Sequence, residues 1–289
     1  MMKETSAIVI LERKAARLRA STGNPKLCSK LASPLSTREL FTFSIVRPFK
    51  MLFFSSICLA ISVYIAITYA YLYILFTTFT SVFSTVYGWK GGIIGLSFLG
   101  LGIGSLLGQF IFTHYGNRIA QKHMTRGDFV PEHRLYIMAG GAIFLPIGFF
   151  VYGWGVEYRV HFMVPIIGSG LVGFGLLMIF MPSMAYLVDV FTMHAASAMA
   201  ASTVLRSLAA ATIPLSSQKS TYSQGFKHTD TPLLNELWLT FVALRLVYAA
   251  MGYGWGNSLL GFVGFALMPI PFLFIKYGER IRSRSTIKF

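Results

Sequence analysis

At 289 residues, with 55% hydrophobic and only 12% charged side chains and a mean hydropathy of +0.63, the chain carries about half the charge of a water-soluble domain. This excludes a soluble globular fold for most of its length. The net charge of +15 does not point to nucleic acid either, because the basic residues sit in loops and tails between apolar runs rather than on one folded face supplied with aromatics.

In chain order, residues 1–50 come first and hold 13 of the 35 charges, ten of them Lys or Arg. The opening MMKETSAIVILERKAARLRA has a short apolar patch followed at once by charges and lacks the cleavage pattern of a signal peptide, so it reads as an amphipathic cytosolic helix. Cys28 and Cys58 are too few for a disulfide framework and have no metal-ligand spacing around them.

A bilayer core of about 30 Å needs roughly 20 apolar residues of helix. Five charge-free runs meet that length: 51–75, 91–112, 135–155, 162–188 and 257–275. A sixth, 195–215, is rich in small residues and apolar except for Arg206 at its centre. A polar stretch, 216–232, and a shorter apolar segment, 237–255, interrupted by Arg245, lie between the last two. With six spans and the N-terminus inside, the inner segments hold nineteen Lys and Arg against four outside. Counting 237–255 as a seventh span would put the five-charge tail outside, so that segment reads as interfacial or re-entrant. The expected organisation is a basic cytosolic segment at 1–50, a six-span domain at 51–275 with a polar, ambiguous insert at 216–256, and a basic cytosolic tail at 276–289, all-α and integral to the membrane.

Several residues within this frame carry chemistry. Gly100, Gly104 and Gly108 fall on one face at i, i+4, i+8, a stripe that lets helix backbones approach closely; packing within the chain is the plainer reading, with a substrate path or a second copy as the sharper ones. Arg206 is the foremost candidate for substrate or coupling, because a mid-bilayer guanidinium costs about 2.5–3.5 kcal/mol and so faces a cavity, a partner or helix carbonyls. No Asp or Glu lies within the six expected spans, so an intramembrane acid that pairs with it or carries a coupling proton must come from elsewhere. Asp189, at the end of the fourth span, suits the capping of the next helix, with gating or proton coupling as the alternative. Tyr64, with Tyr69, Tyr71 and Tyr73, either lines a cavity or belongs to interfacial belts along with Trp154 and Trp255. Enzymatic readings fail on residue types: the six histidines have no paired short spacing, and no G-x-x-x-x-G-K-[ST] loop is present, so neither a metal nor another cofactor is expected.

The ordered motifs LERKAARLR (11–19), TGNP (22–25), RELF and RPFKML (38–52), YLYILFTTF (71–79), PEHRL (131–135), YLVDVFT (186–192), AASAMAASTVLRS (195–207) and YGWGNSLLGF (253–262) resemble the C-terminal half of major facilitator superfamily transporters of the fungal drug and polyamine proton-antiporter type. The resemblance implies six of twelve spans, a substrate site at the midplane between two six-helix halves, and alternating access. In the loop THYGNRIAQKHM it places Arg118, and Asn117 where the family has an acid, at a cytoplasmic latch; a loop that merely sets topology is the alternative. About thirty residues, roughly 217–247, intervene where the family passes almost directly to YGWGN, either a genuine insert or a retained intron. The implied function is proton-coupled export of small amphipathic or cationic molecules from the plasma membrane or the vacuolar membrane. Its partners would be the lipid bilayer, a small-molecule substrate, and a second copy or a separate N-terminal half, with a non-transporting half-transporter as the other reading.

Overall fold

The computed structural model describes residues 7–24, 27–28, 37–218 and 251–284, and every regular element among them is helical. The chain divides into two units, 1–47 and 48–289, at the Arg47–Pro48 bond inside α2. In the first, α1 (Ala7–Thr22) exposes most of its length. It ends where Gly23, at φ 67°, turns its amide back to the Arg19 carbonyl.

α2 (Thr37–Phe54) leads to α3 (Ser56–Thr85), and only Ser55 separates them. Its extended backbone breaks the helix and its hydroxyl accepts the Cys58 amide, which moves the start of the first span from 51 to 56. At the other end, TTFTSVFST contains neither charge nor breaker, so α3 continues ten residues past the expected stop. Thr77, Thr78, Ser84 and Thr85 return their hydroxyls to carbonyls three or four residues back.

A 3₁₀ segment, Gly91–Ser97, opens α4 (Phe98–Ile111). A π-helical turn, Phe112–Gly116, then passes into α5 (Asn117–Arg126), so what reads as loop in the sequence continues the helix. The stop is Gly127, whose left-handed backbone at φ 75° closes the helix end, whereas Gly116 stays helical.

α6 (Leu135–Glu157), α7 (Met163–Val190) and α8 (Ala195–Gln218) follow, then α9 over 251–267 and α10 (Pro269–Arg284). Five stretches are long and apolar enough to cross a membrane: Ser56–Thr85, Gly91–Arg126, Pro131–Glu157, Met163–Val190 and Met251–Ile281. The remaining expected span forms α8, whose Ala, Ser and Thr residues and Arg206 leave it less apolar. Most of the expected insert lies outside the described residues, but 251–256 already belong to α9, and α10 carries the helix into the expected tail as far as Arg284.

Four glycines let α7 serve two neighbours at close range. Gly168 and Gly175, seven residues apart, face α6, where an added methyl would lie 2.6 Å from the Tyr152 amide nitrogen and 2.7 Å from that of Leu145. Gly170 and Gly173 face α4, on which Gly100, Gly104 and Gly108 lie against the carbonyls of Ile166, Gly170 and Phe174 in register. The α4 stripe is therefore covered by α7 within the chain. Around this seam a core of Ile57, Leu75, Phe79, Leu135, Phe149, Val172 and Tyr186 fills the interior between α3, α6 and α7.

Apolar tails of lipid give helices no hydrophobic reason to associate, so close backbone approach is what holds such a bundle together. Substituting Gly104→Ala forces α4 and α7 apart and is expected to lower stability by about 1–3 kcal/mol. Gly102→Ala, whose added methyl meets nothing within 4 Å, should leave stability unchanged or raise it. Thermal unfolding of both variants in detergent checks the difference.

Candidate functional site

Arg206 lies at the middle of α8, where that helix meets α3 and α7. Its guanidinium carbon is 4.4 Å from the ring centre of Tyr69 on α3 and 5.4 Å from that of Phe180 on α7. The two rings meet edge to face at 5.0 Å and 69°, fixing the angle between the faces that hold the cation. All three side chains are half-buried. The Tyr69 hydroxyl also interacts with the guanidinium, whereas the Arg206 Nε is buried with no hydrogen-bond partner among the described residues. A cation–π contact supplies about 0.5–2 kcal/mol. That offsets part of the roughly 2.5–3.5 kcal/mol cost of a mid-bilayer guanidinium and leaves its charge uncompensated.

A second polar cluster sits at the C-terminal end of α7. The Arg134 Nε, at the end of the 3₁₀ turn Pro131–Arg134 that opens α6, donates to Asp189 Oδ2 in the last turn of α7. The two side chains are only 16% and 18% exposed. Asp189 is thus turned toward α6 rather than toward the start of α8, because a guanidinium 55 residues earlier in the chain offers a charge-assisted bond that free amides cannot match. Phe180 and Asp189 are nine residues apart on one helix, or roughly 14 Å, so Asp189 and Arg206 belong to separate sites. Beside the pair, Glu132 is only 5% exposed. It lies under α10, where an added methyl on Gly278 would meet its Cγ at 3.0 Å and the Tyr186 hydroxyl at 3.4 Å.

Further along the same surface the rings of His123 and His133 stack with centroids 3.8 Å apart. His123 Nδ1 is 3.1 Å from Asp128 Oδ1, and the Val130 amide donates to His133 Nδ1. Desolvation pushes the Asp128 carboxyl up, but its hydrogen bond and charge interactions with His123, a backbone hydrogen bond and the His133 charge together hold it below the usual carboxylate range.

The pattern that defines the Major Facilitator Superfamily matches residues 6–214, most of the helical chain just described. The chain belongs to the major facilitator superfamily. Among curated relatives, the MFS-type transporter penM of Penicillium rubens is 44% identical over 283 residues, taking in 98% of this chain and 50% of its own length. The MFS-type transporter tndD of Aspergillus flavipes is 43% identical, over 97% of this chain and 48% of its own. The efflux pump radE of Floropilus chiversii is 42% identical, over 98% and 48%. This major facilitator chain therefore spans about half the length of the curated relatives it matches. No solved structure matches it. Family and apolar helices together make it an integral membrane protein.

The other residues singled out from the sequence are dispersed through the major facilitator bundle. Tyr64 is 4% exposed in the core, five residues and so about 140° around α3 from Tyr69, the tyrosine that meets Arg206. Asn117 and Arg118 are exposed at the start of α5, and Arg118 has no acidic partner among the described residues. Tyr69 stood in the sequence only as one of four tyrosines that could line a cavity, and nothing local marked Phe180, Arg134 or Glu132 as parts of a site. Pro131 followed by an acid in the first turn signals a helix start, but nothing local shows that α10 covers it.

Breaking the Arg134–Asp189 pair strands one charge in a largely buried position. Asp189→Asn and Arg134→Gln are each expected to cost about 2 kcal/mol, less than the range for fully buried pairs because both side chains keep some exposure. The double variant should lose little more than either single one, as a double-mutant cycle of thermal unfolding would register.

Proposed function

We propose that this chain supplies the C-terminal six-helix half of a proton-coupled exporter of small amphipathic molecules, with both termini cytoplasmic, in the plasma membrane or the vacuolar membrane. The observation that carries the reading is Arg206. A cation held between three helices of an apolar bundle, with two ring faces and the Tyr69 hydroxyl but no acid beside it among the described residues, suits a place where a substrate arrives and leaves rather than a structural contact. The names of the relatives support it, since all three are transporters and one is an efflux pump.

In this reading Arg206, Tyr69 and Phe180 contact the substrate. Asp189 acts through Arg134, tying the end of α7 to the start of α6 so that these helices move as one body when the site changes its exposure. Tyr64 belongs to the core that keeps α3 in register, and Asn117 and Arg118 face the cytosol at the start of α5. Among the described residues the acids at the span ends, Glu132, Glu157 and Asp189, lie away from Arg206, so in this reading a coupling carboxylate at the midplane comes from outside them, from an opposing half or a second copy.

The test is movement of a fluorescent amphipath into vesicles that contain the protein under an imposed proton gradient. Gradient-dependent movement is expected, reduced at least tenfold in Arg206→Ala and little changed in Asn117→Ala. Movement that survives Arg206→Ala in a folded variant would remove Arg206 from the pathway. A folded chain that moves nothing, alone or with an opposing half supplied, would leave an interaction partner without transport.

A further inference from the structure

We infer that the bracket of Arg206, Tyr69 and Phe180 selects amphipathic molecules that carry a negative charge, and rejects the cations that the family resemblance admits equally; the inference rests on the transport reading above. Three observations meet at this point. The guanidinium is held by two aromatic faces, which fix its position but remove none of its charge. Both ion pairs among the described residues, His123 with Asp128 and Arg134 with Asp189, lie at the ends of helices, and neither involves Arg206. The Arg206 Nε is buried and has no acceptor among the described residues, so a donor stands ready for an oxygen that none of them supplies.

The chemistry of the ligand follows from these groups. Guanidinium N–H donors accept a carboxylate, sulfonate, phenolate or enolate oxygen in a charge-assisted bond, and in a bundle of low polarity that bond is stronger than in water. The half-exposed rings of Tyr69 and Phe180 offer apolar area to the carbon skeleton beside that group, and an aromatic skeleton suits them best. A cationic amphipath would find the same apolar area but meet a like charge. The class is therefore an acidic, preferably aromatic small molecule, bound by one anionic group at Arg206 with its apolar body along α3 and α7.

The experiment compares three fluorescent aromatic probes, two of them sharing one skeleton, on the full chain in phosphatidylcholine vesicles, with partitioning into empty vesicles subtracted. 1-Anilinonaphthalene-8-sulfonate is anionic, N-phenyl-1-naphthylamine is its uncharged counterpart, and rhodamine 123 is cationic. Saturable binding is expected for the sulfonate, at least tenfold tighter than for the neutral probe. Arg206→Gln should lose that tenfold while the neutral probe is unaffected, and Arg206→Lys should retain part of it. The comparison of the two naphthalenes on the unaltered protein stands even where a variant fails to fold. Equal affinity for the charged and neutral naphthalenes, tighter binding of rhodamine 123, or no saturable binding of any probe would each overturn the inference. Absence of gradient-driven movement with the anion preference intact would instead end the transport reading and leave this charge selectivity standing.

Discussion

The close approach of α7 to two neighbours is the constraint on which the rest of the bundle depends. Lipid supplies no hydrophobic drive between helices, so association rests on backbone surfaces that meet without side chains between them. In GSGLVGFG the glycines are divided between two partners: 168 and 175 are given to α6, 170 and 173 to α4. A helix so committed on two sides has little freedom to rotate. That fixes the direction in which Phe180 projects and brings Asp189, one residue short of the end of α7, to the start of α6.

Phe180 in turn sets the geometry at Arg206. The guanidinium sits where α3, α7 and α8 converge, and the edge-to-face contact of Tyr69 with Phe180 means that neither ring can turn without disturbing the other. The position of the one mid-span cation among the described residues is thus inherited from glycines in the neighbouring turns of α7. The charge belongs to a single residue, while its placement is a property of the whole seam.

How much of this was legible beforehand depends on the range of the signal. Apolar run length found the spans, and the i, i+4 spacing of Gly100, Gly104 and Gly108 marked a face, because both are local patterns. Arg206 stood out on cost alone. Its partners did not: Tyr69 is one of four tyrosines within ten residues of α3, and only the rotation of that helix decides that Tyr64 enters the core while Tyr69 meets the cation. Asp189 looked like a cap because its nearest neighbours in sequence are the amides of the next helix, whereas its actual partner comes from 55 residues earlier. Helix ends were misplaced where stops were inferred from polarity: THYGNRIAQKHM is polar, yet its Gly116 stays helical and the backbone turns left-handed only at Gly127.

The π-helical turn at Phe112–Gly116 has a consequence for how the two ends of this long helix are oriented. An i→i+5 turn takes up one residue more than its α-helical counterpart, and each residue of α-helix is worth about 100° of rotation. The turn therefore acts as a phase shifter between a membrane-facing segment and a basic one. Upstream, the glycines keep their bearing on α7. Downstream, Ala120 is turned inward while Arg118 and Lys122 remain outside, and Gly116 packs closely against Phe112 and Ile137, whose side chains would have to shift for a larger residue. A helix without that extra residue could satisfy only one of these two surfaces at a time.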